Sequence, residues 1–142
     1  MAIYNSTLPL GLTLALLAIT SPHTVSAQSD DLDCSNSQTQ TVMNRCAFLD
    51  FEAADLELNA IWPAARKANE TFAQYLPENL KADANALLEA QRAWIKFRDA
   101  HCASIALPNA GGTIYPLIYN GCRAGVTRQR TEQLRQLVDN AQ

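Results

Sequence analysis

The run AQRAWIKFRDAHC, residues 90–102, places Trp94 and Phe97 among Arg92, Lys96 and Arg98 and ends on Asp99, Ala100, His101 and Cys102. A ligand surface and the inner face of a helix both fit that mixture, so spacing has to separate them. Leu87, Ala90, Trp94 and Phe97 recur at alternating steps of three and four, the period of an amphipathic helix. The pattern predicts a helix from about Asp83 to Cys102, with Asp83 as an acidic cap. Ala90, Trp94 and Phe97 then face the interior, flanked by Leu88 and Ile95, and Cys102 fastens the end.

The segments on either side are helical as well. Residues 39–69 contain no glycine, Pro63 as their sole proline, and many Ala, Leu and Glu. They predict a helix over 39–62 that continues to about Phe72 after a bend or restart, because the Pro63 ring removes an amide donor and clashes with the preceding turn. Pro77, Glu78 and Asn79 mark a connection, and Pro108, Asn109, Gly111 and Gly112 mark a second one. Pro116 is suited to open a last helix over 116–139, with Leu117, Ile118, Val126, Leu134, Leu137 and Val138 as apolar positions. No strand pair has comparable support. The expected class is all-α: a small disulfide-stabilised antiparallel three-helix bundle, running up-down-up, with a bent first helix.

Upstream of this domain, Leu8–Ile19 is an apolar run interrupted by Pro9, Gly11 and Thr13, and Val25-Ser26-Ala27 supplies small residues suited to signal peptidase. Residues 1–27 therefore read as a signal peptide and 28–142 as a single domain, periplasmic or secreted. The run falls short of the roughly 20 residues a membrane span needs. No cysteine stands at the presumed cut to carry a lipid anchor. The net charge of −3 disfavours binding to nucleic acid, which requires a positive field.

All four cysteines, Cys34, Cys46, Cys102 and Cys122, follow that cut, and an even number in an exported chain reads as two disulfides with three pairings open. An up-down-up bundle gathers them at one pole. The preferred arrangement joins Cys34 or Cys46 to Cys102 and leaves a second bridge involving Cys122; local pairing of Cys34 with Cys46 and Cys102 with Cys122 is the alternative.

The chain offers little catalytic chemistry. The cysteines lack the close pairs of a zinc site or a redox motif, so no metal and no cofactor is expected. His101, Asp99 and Ser104 are near in sequence, but Asp99 and His101 face different sides of a helix, and no serine sits in a nucleophile elbow. Gly111-Gly112 lacks the lysine and hydroxyl of a phosphate loop. No catalytic residue and no enzymatic activity is expected. The charged residues read instead as a structural network of Asp50, Asp55, Arg92, Arg98 and Arg130 around Trp94. Aligning the helices at their cysteines sets Asp50 level with Arg98, and Asp55 level with Arg92 and Arg130.

Three stretches carry a family resemblance: TQTVMNRCAFLDFEAADLELNAIW at 39–62, LLEAQRAWIKFRDAHC at 87–102 and GGTIYPLIYNGCRAGVTRQRTEQL at 111–134. Within them stand Asn44-x-Cys46, Ala54-Asp55-x-x-Leu58-Asn59, Ala90-Gln91-Arg92-x-Trp94 with Phe97-Arg98-Asp99, and Cys122 ahead of Thr127 and Arg130. The chain closely resembles the LprI-like domain family. The resemblance implies a small exported, cysteine-bonded helical domain and inhibition of lysozyme, the activity attributed to the family's namesake. Trp62-Pro63 departs from the uninterrupted first helix common in the family, and the missing anchor cysteine departs from the namesake's lipoprotein style. Inhibition would proceed by steric occlusion of a basic lysozyme's cleft, steered by acidic residues; residues 30–57 carry seven acidic side chains against Arg45. Asp30, Asp31, Asp33, Tyr115 and Tyr119 are the candidate contacts. The alternative is a noncatalytic envelope or secreted domain that binds another envelope protein or a cell-wall component.

Overall fold

The computed structural model describes residues 32–141, apart from the side chains of 82–84. The expected signal peptide, Asp30 and Asp31 lie outside the described residues. Three α-helices follow one another: α1 Gln40–Gln74, α2 Ala86–Ala106 and α3 Tyr115–Asp139, with 3-10 segments at Cys34–Asn36, Glu78–Asn85 and Leu107–Asn109. Among the described residues there is no strand, and the all-α expectation holds.

Thr39 caps α1 from an extended backbone, its hydroxyl accepting the Val42 amide at 3.3 Å. The helix does not restart at Pro63 but runs through it. A proline inside a helix costs about 3 kcal/mol in isolation. Here Leu58, Ala65 and Ala68 are buried on both sides of it, and most helical stability in proteins comes from such packing. The start of α2 corrects a second expectation: Asn85 occupies the cap position, without a side-chain cap bond, and Asp83 lies inside the preceding 3-10 segment. Gly111 takes a φ of 78°, a left-handed turn that a side chain would strain.

Paired residues give the helix directions. Asn44 with Thr113, Asp50 with Arg128 and Glu57 with Arg135 ascend together, so α1 and α3 run parallel. Cys102 with Cys122, Arg98 with Thr127 and Gln91 with Arg130 run in opposite senses, so α2 is antiparallel to α3. The result is the up-down-up bundle. Ala54, Ala65 and Ala124 have almost no exposed surface, and these small side chains let the α1 and α3 backbones lie close along much of their length. Leu58, Ala65 and Leu134 form the main cluster, joined by Ile61, Trp62, Leu87, Trp94, Leu137 and Val138. By contrast, α1 and α2 stay further apart and are bridged by long side chains.

The inward face of α2 differs from the expected one. Ala90 is exposed and Phe97 is 58% exposed, whereas Gln91, Arg98, Cys102 and Ala106 are buried beside Leu87 and Trp94. Both sets contain Leu87 and Trp94, but the buried one turns by one residue and takes in two polar side chains that an apolar-only reading passes over. Cysteine pairing is the other correction. The bridges are Cys34–Cys46 and Cys102–Cys122, with Cα separations of 5.6 and 5.5 Å. No bridge joins α1 to α2. The first ties the N-terminal arm to α1, and the second ties the end of α2 to α3 across the 107–114 connection.

Candidate functional site

Arg98 lies under the disulfide-bearing pole, 6% exposed, where all three helices meet. Its Nη1 donates to Asp55 Oδ1 at 3.0 Å and to Thr127 Oγ1 at 3.4 Å, and its Nε donates to Asp99 Oδ1 at 2.9 Å. The guanidinium also lies 5.1 Å from the Phe51 ring centre and 5.2 Å from that of Trp94, so aromatic faces share its charge with the carboxylates. Arg123 extends the cluster, 3.4 Å from Asp99 and 3.6 Å from the Phe51 centroid. Its Nε is buried with no hydrogen-bond partner among the described residues. One guanidinium thus bonds to α1 through Asp55, to its own helix through Asp99 and to α3 through Thr127.

The remaining ion pairs differ from those set by level alone. Asp50 pairs with Arg128, not Arg98, and that bond raises the Arg128 pKa above its ordinary value. Asp55 meets neither Arg92 nor Arg130. Arg92 bonds to Glu89 on its own helix, and Arg130 bonds to the Gln91 and Gln133 side-chain oxygens. Burial lowers the Arg130 pKa. The reason is angular: Asp50 and Asp55 are five residues apart and therefore about 140° apart around the helix axis. Asp55 faces α2, and Asp50 faces the far flank of α3.

The surface around the pole collects exposed apolar groups. Phe97, His101 and Ile105 follow one another at steps of four along α2, with the Phe97 and His101 rings stacked at 5.3 Å, and exposed Leu107 continues past the helix end. Tyr115 and Tyr119 stack at 5.9 Å on the first turns of α3. Asn44 Nδ2 donates to the Thr113 carbonyl at 2.8 Å, fastening the glycine connection to α1. Asp33 accepts from both the amide and the hydroxyl of Ser35, which hold its carboxyl below the usual range.

Residues 33–134 match the family described as Lysozyme inhibitor LprI. The chain belongs to the LprI family. An uncharacterized protein of Rhizobium meliloti (strain 1021) is 35% identical over 130 residues, which cover 89% of this chain and 92% of its own length. No solved structure matches. The LprI match begins beside Cys34 and ends at Leu134, so it takes in both disulfides, the Arg98 cluster and the apolar pole. LprI is an inhibitor-type family rather than a catalytic one. Among the described residues, no group of three or more His, Cys, Asp or Glu is placed to hold a metal ion, and no helix is long and apolar enough to cross a membrane. The two disulfides and the family together point to an extracytoplasmic location.

Sequence reasoning missed Gln91, Asp99, Thr127, Arg123 and Arg128 as partners. A signal for the first existed. Gln91 and Arg98 are seven apart and flank Trp94 at steps of three and four, so they share its helical face.

Proposed function

We propose that this LprI-family chain is exported and binds lysozyme, blocking its substrate cleft as a rigid protein surface. The observation that carries the reading is the family match across the stapled pole. Two disulfides and the Arg98 cluster hold that pole in one shape, and a pre-ordered surface loses little conformational entropy on binding. Exposed Phe97, Ile105 and Leu107 give it apolar contact area, and Tyr115 and Tyr119 add aromatic rings with polar tips, the side chains favoured at interfaces. A net charge of −3 steers encounter with a cationic partner. Asp33, Tyr115 and Tyr119 are the proposed contacts, together with Asp30 and Asp31.

The test is a titration of the disulfide-bonded protein against several lysozymes, with binding and muramidase activity followed in the same samples. Stoichiometric loss of activity on binding is expected. Absence of both at micromolar concentration overturns the proposal. A stable complex with a different envelope protein, in place of lysozyme, supports the envelope interaction domain instead.

A further inference from the structure

The gap between α1 and α2 forms a cleft of about 370 Å3. Leu58, Trp62, Leu88 and Ile95 supply its apolar walls, and Gln91 and Asn59 bring two planar amides to it. Hydrogen bonds fix which way each amide points. Arg130 Nε has only a hydrogen to give, so the Gln91 atom 2.9 Å away is the carbonyl oxygen Oε1. Both N–H donors of Gln91 Nε2 are then left without a protein partner among the described residues, on a residue 8% exposed. Asn59 is the converse case. Its Nδ2 donates to Asp55 Oδ2 at 3.0 Å, while Asp55 Oδ1 is held by Arg98, and Asn59 Oδ1 is left as an acceptor without a partner among the described residues.

The cleft thus offers one oriented donor and one oriented acceptor against apolar walls. The Gln91 amide reaches the cleft from a residue with little exposure, so an acceptor held against the apolar walls there would find a donor with no competing protein partner among the described residues. Arg130 strengthens that donor. Its Nε and Nη1 bond to uncharged amide oxygens, its Nη2 is buried and unbonded, and no carboxylate among the described residues pairs with it. Its charge therefore polarises the Gln91 amide toward a strong acceptor.

A secondary amide that ends in a methyl group matches this set: a carbonyl for Gln91, an N–H for Asn59 and a methyl for the apolar wall. We propose that the cleft between α1 and α2 binds an N-acetylated amino sugar, with its acetamido group bridging Gln91 and Asn59 and a sugar ring against Trp62. A polypeptide strand would bring successive amides, whereas the cleft provides a single donor–acceptor pair. The volume admits a ligand of one or two rings, and Asp55 and Arg92, which also line it, are suited to hydroxyl groups. This proposal does not depend on lysozyme binding.

The test is an NMR titration of the uniformly 15N-labelled, disulfide-bonded protein with N,N′-diacetylchitobiose, with glucosamine as the probe lacking the acetyl group. The Gln91 and Asn59 side-chain amides and the Trp62 indole N–H should shift and saturate with a dissociation constant on the order of 1 mM. Glucosamine should bind at least about tenfold more weakly, the loss expected for one hydrogen-bonded group. Asn59 is exposed, so Asn59→Ala should leave the thermal transition unchanged and weaken diacetylchitobiose by about the same factor. An equal response to both sugars, no response at Gln91 and Trp62, or saturation by N-acetylalanine amide but not by the sugar would each overturn it.

Discussion

Replacing Arg98 separates what its charge contributes from what its bulk contributes. Its side chain is 7% exposed, but its two carboxylate partners, Asp55 and Asp99, are 37% and 41% exposed. Solvent therefore screens both ion pairs, and each is worth no more than about 1 kcal/mol. Neither carboxylate is stranded if the guanidinium goes, since Asp55 keeps its bond from Asn59 and Asp99 keeps Arg123. The 3–5 kcal/mol typical of orphaning a buried charge should therefore not apply. Arg98→Met keeps a long side chain between Phe51 and Trp94 and loses the ion pairs, the Thr127 contact and two cation–π contacts, for about 1–2 kcal/mol. Arg98→Ala adds the truncation of a buried side chain and should cost about 3–4 kcal/mol in all. The assay is urea unfolding of both variants with disulfides intact, followed by helical circular dichroism. Equal costs, or a loss above about 4 kcal/mol for Arg98→Met, would refute the argument that packing outweighs charge at this site.

Other consequences follow from burial and titration. Leu134 is 1% exposed, so Leu134→Ala should lose about 3 kcal/mol, whereas Phe97→Ala should change stability by less than about 1 kcal/mol; a reversed order in urea unfolding would return Phe97 to the core. Removing either disulfide should cost about 3 kcal/mol, because the separations of 12 and 20 residues close loops of similar entropy. They should nonetheless differ in access. Cys34 is exposed and Cys102 fully buried, so limited dithiothreitol followed by alkylation and mass spectrometry should open Cys34–Cys46 first. The turn at Asp33 should be fully formed above the ordinary carboxyl value of 3.8 and be lost as pH falls below it, since its folded pKa is depressed. The Ser35 amide resonance reports that loss, and a midpoint above 3.8 would contradict the Asp33–Ser35 bond.

Helix count, direction and approximate bounds were legible because residue composition, prolines and the glycine connection all act locally. What local rules left out was decided by packing. Pro63 disfavours a continuous α1, yet Leu58, Ala65 and Ala68 bury surface on both of its sides and carry the helix through. Seeking apolar residues alone selected Ala90 and Phe97, while the face that meets α3 includes Gln91, whose carbonyl accepts from Arg130, and Arg98, which donates to Asp55 on α1 and Thr127 on α3. Levels along the bundle axis do not decide ion-pair partners by themselves, because direction around each helix matters as much. Asp50 and Asp55 point about 140° apart around α1, and Asp55 takes Arg98 while Asp50 takes Arg128. The up-down-up topology brings the cysteines to one pole, and there spacing alone does not distinguish a local pair from a cross-helix pair. Gln91 and Asn59 were legible as residues but not as a donor and an acceptor, because that assignment comes from Arg130 and Asp55 across the bundle.

Cleft occlusion is tested most directly by amide hydrogen exchange on lysozyme, with and without a saturating amount of this protein. The proposed function predicts new protection lining the lysozyme substrate cleft, and matching protection here around residues 97–119. Protection of lysozyme confined to surfaces away from its cleft, or no protection at all, would contradict it.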